Sequence, residues 1–94
     1  MTESVPGEGT VEIPLADMVN AVRDLNEYVV SLDRILSRIG TGGKSPEILL
    51  QYIVDRNVLR RIADLRTVVC DALEDRIGEE AVDEIADGAY FYTD

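Results

Sequence analysis

Four of the eight arginines in this 94-residue chain, Arg56, Arg60, Arg61 and Arg66, fall within eleven residues of one another. A guanidinium cluster can hold a carboxylate or phosphate dianion, because its planar fork donates two parallel hydrogen bonds to such a group. That chemistry defines one reading of the chain: a small dimeric helical-bundle enzyme or ligand-binding module. In it, Arg56, Arg60 and Arg61 would join Arg23 or Arg34 of a second copy around an anionic small molecule. A plainer explanation competes with it. Arg60 and Asp64 stand four residues apart, as do Arg23 and Glu27, the spacing of surface ion pairs on a helix.

Other chemistry finds less support. Gly40-Thr41-Gly42-Gly43-Lys44-Ser45 looks like the end of a phosphate loop, but such a loop needs a glycine where this chain has Arg38. Pro46 also removes an N–H where a helix would meet phosphate. With no histidine and one cysteine, a zinc site would rest on carboxylates alone. Glu79, Glu80, Asp83 and Glu84 lack the spacing of a calcium loop and suit a solvated acidic helix face. Cys70, beside Asp71 and without a neighbouring base, suits a structural thiol. Ser31, Ser37 and Ser45 have no triad partners. The expectation is no catalytic residue, no cofactor and no metal: a protein that is not an enzyme.

Helices must carry whatever work remains. Leu15, Met18, Val22, Leu25, Val29, Leu32, Leu36 and Ile39 recur at steps of three and four, which aligns them along one seam of an α-helix. Ala21, Tyr28 and Ile35 add an adjacent apolar row. The spacing predicts a helix from Pro14 to Ile39, with Asp17 at its positive end, Arg34 and Arg38 at its negative end and Gly40 as a left-handed cap. After a Gly-rich turn, Ser45-Pro46-Glu47 is a strong helix start. The pattern from Pro46 to Ile77 is helical, with Asp55-Arg56-Asn57 as the expected break. Beyond it the seam resumes as Val58, Ile62, Leu65, Val69 and Ala72, and Gly78 ends the helix. Glu79 to Asp87 reads as a short third helix closed by Gly88.

The fold class expected is therefore all-α: an antiparallel helical hairpin of two long helices plus a short third helix, dimerising into a helical bundle. Residues 1–12 read as a disordered lead-in, 13–88 as the single helical domain and 89–94 as an aromatic tail. Thr10 to Leu15, where Val11, Ile13 and Leu15 alternate with polar or imino residues, also reads as a short extended segment before the helix.

Nineteen acids against nine bases give a net charge of −10. It is concentrated at one end: residues 71–94 carry nine acids against Arg76 alone. This balance disfavours nucleic acid and anionic membrane as partners and favours a basic protein surface. An acidic start and no apolar span point to a cytoplasmic protein. Two features suggest where a partner protein would bind. Ile48, Leu49, Tyr52 and Ile53 belong to a stretch that is apolar nearly all round, more than a hairpin can hide. Tyr90, Phe91 and Tyr92 follow the acidic residues Glu80, Asp83 and Glu84. They could fold back as a lid, anchor a basic partner, or pair as a strand with Val11–Ile13. The function expected is a small acidic protein–protein interaction module, a regulator, inhibitor or assembly subunit acting as a homodimer or within a complex.

Overall fold

A computed structural model describes residues 8–94. The first seven residues of the lead-in lie outside the described residues. Four helices follow one another: α1 (Leu15–Gly40), α2 (Glu47–Asp55), α3 (Val58–Ile77) and α4 (Glu79–Asp87), with no strand among the described residues. The all-helical class stands. The hairpin of two long helices needs correction, because its second arm is divided into two helices, α2 and α3.

The cause is local. Arg56 leaves the helical path at φ −95°, ψ 4°, and Asn57 takes the left-handed conformation at φ 55°, ψ 42°. Asparagine tolerates this better than most residues with a Cβ, since its short polar side chain can bond locally. The Asn57 carbonyl then accepts the Arg61 N–H at 3.1 Å and α3 begins. The polar triplet Asp55-Arg56-Asn57 thus breaks the helix where its apolar pattern lapses.

Helix ends follow their punctuation with one displacement. Pro14, in extended geometry at φ −52°, ψ 139°, precedes α1, and its carbonyl accepts the Met18 N–H at 3.0 Å. At the other end Gly40 remains helical, and the left-handed residue is Gly42 at φ 81°. The N–H groups of Thr41, Gly42, Gly43 and Lys44 turn back onto the carbonyls of Ser37, Ile39 and Arg38. The turn therefore spends its donors on the helix end, not on a nest that could wrap phosphate. Ser45 Oγ accepts the Glu47 N–H at 3.1 Å and starts α2 as its residue type suggests. Gly78, at φ 91°, separates α3 from α4 in a single residue, a conformation that favours glycine.

α1 packs on α2 and α3, α2 packs on α3, and among the described helices α4 packs only on α3. The core is thin. Ala21, Tyr28, Val58, Ala72 and Val82 are the buried apolar residues, and no side chain is fully buried among the described residues. The chain exposes 7535 Å², against about 5,400 Å² for a globular monomer of this mass. Its radius of gyration is 16.9 Å, against about 12 Å for a compact domain.

Candidate interaction surface

The inner face of α1 is polar at its centre. Glu27 receives the Tyr52 hydroxyl at 2.8 Å, Arg56 Nε and Nη2 at 3.1 and 3.0 Å, and Arg61 Nη1 and Nη2 at 3.2 and 2.8 Å. Arg61 Nη2 also donates to Asp24 at 2.8 Å, and Arg61 Nη1 donates to the Arg56 carbonyl at 3.2 Å. One carboxylate from α1 thereby ties together α2, the break after it and the first turn of α3. The left-handed Asn57 makes this possible, because it brings Arg56 and Arg61 to the same acceptor. Arg61 completes the junction by stacking its guanidinium 5.1 Å from the centre of the Tyr28 ring.

Electrostatics follow from this geometry. Hydrogen bonds from Arg56, then Arg61, then Tyr52 hold the Glu27 carboxyl well below the usual carboxylate range. Bonding to Glu27 holds Arg56 and Arg61 still more firmly protonated. Burial pushes the Tyr28 and Tyr52 hydroxyls up. The Tyr28 hydroxyl is buried without a hydrogen-bond partner among the described residues. Near the start of α4 the situation reverses. Partial burial, then repulsion from Glu79, Asp71, Asp83 and Asp75, raises Glu74.

The arginine cluster read from the sequence is thus largely spoken for. Arg56 and Arg61 face Glu27 and Asp24, and Arg60 lies near Asp64 at 3.7 Å on the exposed side. The Arg60–Asp64 pair matches its spacing, whereas Arg23 bonds Asn20 Oδ1 instead of Glu27. Beside the junction an open groove of about 320 Å³ runs between α1 and α3, and Asp17, Asn20, Asp24 and Asp64 line it with Arg61. Three carboxylates against one paired guanidinium make it a poor receptor for a dianion. No cluster of metal-ligating residues occurs among the described residues.

The apolar seam of α1 does not face the rest of the chain. Leu15 is 80% exposed, Val22 61% and Val29 67%, and Met18, Val19, Leu25 and Leu36 are exposed as well. The inward positions are the neighbouring row, Ala21, Tyr28 and Ile35, with Asp24 and Glu27 beside it. Each residue turns a helix by about 100°, so Val29 points well away from Tyr28. The side of α1 that packs on α2 and α3 is thus the flanking row, and most of the seam read from the sequence is an exposed stripe. Leu32 and Ile39, half-buried, lie between the two faces.

Ile48, Leu49, Tyr52 and Ile53 on α2 are half-buried, and Tyr52 is bonded to Glu27. The open side of α2 is carried by Leu50 and Val54, and that of α3 by Leu59, Ile62 and Val69. Sequence reasoning found the surplus apolar surface of α2 but named the residues nearer its inner side. At the C-terminal end Val82 is buried, while Glu80, Asp83 and Glu84 are exposed. Tyr90, Phe91 and Tyr92 are exposed too, Tyr90 by 87%, so the tail forms neither a lid nor a strand. No helix among the described residues is long and apolar enough to cross a membrane.

Comparison with protein-family models, with curated proteins and with solved structures finds no match to the chain.

Proposed function

We propose that this chain is a small, acidic, non-enzymatic protein–protein interaction module that works as a homodimer or within a complex. The observation that carries the reading is the α1 stripe: Leu15, Met18, Val22, Leu25, Val29 and Leu36 stand exposed along one helix. A monomer rarely leaves so long a contiguous apolar row in water. Covering it is worth several kcal/mol at ~25 cal/mol per Å², comparable to the stability of a small domain. The acidic C-terminal third gives such a module a means of choosing partners. Glu80, Asp83 and Glu84 lie exposed on α4, and Tyr90, Phe91 and Tyr92 follow as aromatic anchors. A basic protein surface would be steered by the first group and held by the second. A cytoplasmic setting accords with the single cysteine.

The test is a photo-crosslinking amino acid placed at Leu25 and, separately, at Tyr90 in the native cell. Protein adducts from Leu25, whether to a second copy or to another chain, are expected. Adducts from Tyr90 that fade at high salt are expected as well. A Leu25 probe that captures no protein at all would contradict the reading.

A further inference from the structure

Resting on the proposal that this chain binds a basic protein, we infer that the groove between α1 and α3 receives an extended segment of that partner. The segment bears arginine or lysine at alternate positions. The groove is longer than the part beside the Glu27 junction. Its first compartment, about 320 Å³, shares Asp17 and Val68 with a second of about 260 Å³, which runs on to Glu12, Pro14, Asp71 and Asp75. Carboxylates stand on both walls. Glu12, Asp17 and Asp24 line the side of α1 and its lead-in, and Asp64, Asp71 and Asp75 line the side of α3. Between them, Ala21, Leu65, Val68 and Ala72, buried or half-buried, make an apolar floor.

Charge selects a cationic occupant. Asp24 is held by Arg61 and Asp64 lies near Arg60, but Glu12, Asp17, Asp71 and Asp75 have no ion pair among the described residues. Arg76, at the far end, lies against Gly9 and pairs with none of them. Like charges on two walls over a low-dielectric floor concentrate negative potential along the groove. A basic segment relieves their repulsion, while its aliphatic stems cover the floor. Size selects the extended form. One turn of an α-helix, ~10 Å across and 5.4 Å long, fills about 420 Å³, more than either compartment holds. From Asp64 to Asp75 the α3 wall runs ~16 Å, the length of about five extended residues. Alternate side chains of an extended segment share one face, so its first, third and fifth residues reach the carboxylates. No stretch of these 94 residues carries three cations at alternate positions, so a second copy does not supply the segment.

The experiment uses the full chain and a fluorescein-labelled peptide in which three arginines alternate with two serines. Fluorescence anisotropy reads its affinity, and nitrogen–proton NMR spectra read its place. Saturable one-to-one binding that weakens with salt is expected, with the largest amide shifts around Asp17 and from Asp64 to Asp75. Asp64→Asn with Asp71→Asn should weaken binding at least about 10-fold. Helicity should stay unchanged, because both side chains are exposed. Asp83→Asn with Glu84→Gln removes the same charge from α4 and should change affinity by less than about 2-fold. Equal weakening by the two double variants would mean diffuse attraction to an acidic chain and overturn the inference. Unchanged affinity in the groove variant, shifts centred on α4 and the tail, or no saturable binding would overturn it as well. The same amide shifts on concentrating the protein without peptide would make a second copy the occupant and overturn the foreign segment. The interaction reading itself stands or falls separately, by the Leu25 photo-crosslinker on the exposed stripe.

Discussion

The two faces of α1 invert the usual arrangement. The inner face holds Asp24, Glu27 and a tyrosine against two arginines, while the outer face holds leucines and valines against solvent. In a self-sufficient monomer the apolar row would close the core and the charges would lie outside. Here charge closes the chain on itself and apolar surface is left over. An ion pair is satisfied only at short range and fixed geometry, so it specifies how α2 and α3 sit on α1. Apolar area is not directional and can be covered by any matching surface. The difference separates two tasks: Glu27 sets the shape of one chain, and in the proposed function the stripe sets what that chain joins.

Substitutions can break this division. The largest effect is expected from Glu27→Ala, which strands Arg56 and Arg61 without their shared acceptor. It should lower Tm more than any other single charge deletion, and the loss should appear in dilute protein, before any association. Val58→Ala, in the small buried cluster, should cost about 2 kcal/mol by denaturant titration. Asn57→Ala should cost about 1 kcal/mol through its left-handed backbone, and Asn57→Gly should be neutral or better. Tyr28→Phe removes a buried hydroxyl without a partner and should gain up to about 1 kcal/mol. Arg60→Ala, which loses only an exposed pair, should stay within about 0.5 kcal/mol.

Acid sharpens the same contrast, because the two ends of the molecule titrate in opposite senses. Glu27 is depressed when folded, so its contribution is present above the ordinary carboxylate range and is lost as pH falls towards its folded value. Glu74 is raised when folded, so its ionisation opposes folding at neutral pH, and that opposition lifts as pH falls through the raised value. Thermal melts should therefore show a maximum in mild acid. Glu74→Gln should raise Tm at pH 7 and lose that advantage near pH 4. A curve that declines steadily from neutrality would show that the α3–α4 acids do not oppose folding.

Much of the fold was legible because it is local. Ser45, Gly78 and the Asp55–Asn57 lapse are each read within a few residues, and each acts where its type predicts. The shift of the left-handed residue from Gly40 to Gly42 was not legible, since several glycines in one turn offer equivalent places. The inner junction was hidden for a different reason. Glu27 meets partners 29 and 34 residues away, and a rule of four-residue spacing assigned it to Arg23 instead. Two apolar rows lie side by side on α1, and periodicity alone does not say which meets the chain's own arm. The smaller row, Ala21 with Tyr28, goes inside, where Asp24 and Glu27 beside it can reach Arg61 and Arg56.

Hydroxyl-radical footprinting across a range of protein concentrations reads the α1 stripe directly. Oxidation of Met18, Leu25 and Leu36 should fall as the chain associates, while Tyr90 and Tyr92 in the tail stay reactive. Uniform reactivity of those three side chains at every concentration, with and without cell extract, would mean that the stripe is never covered.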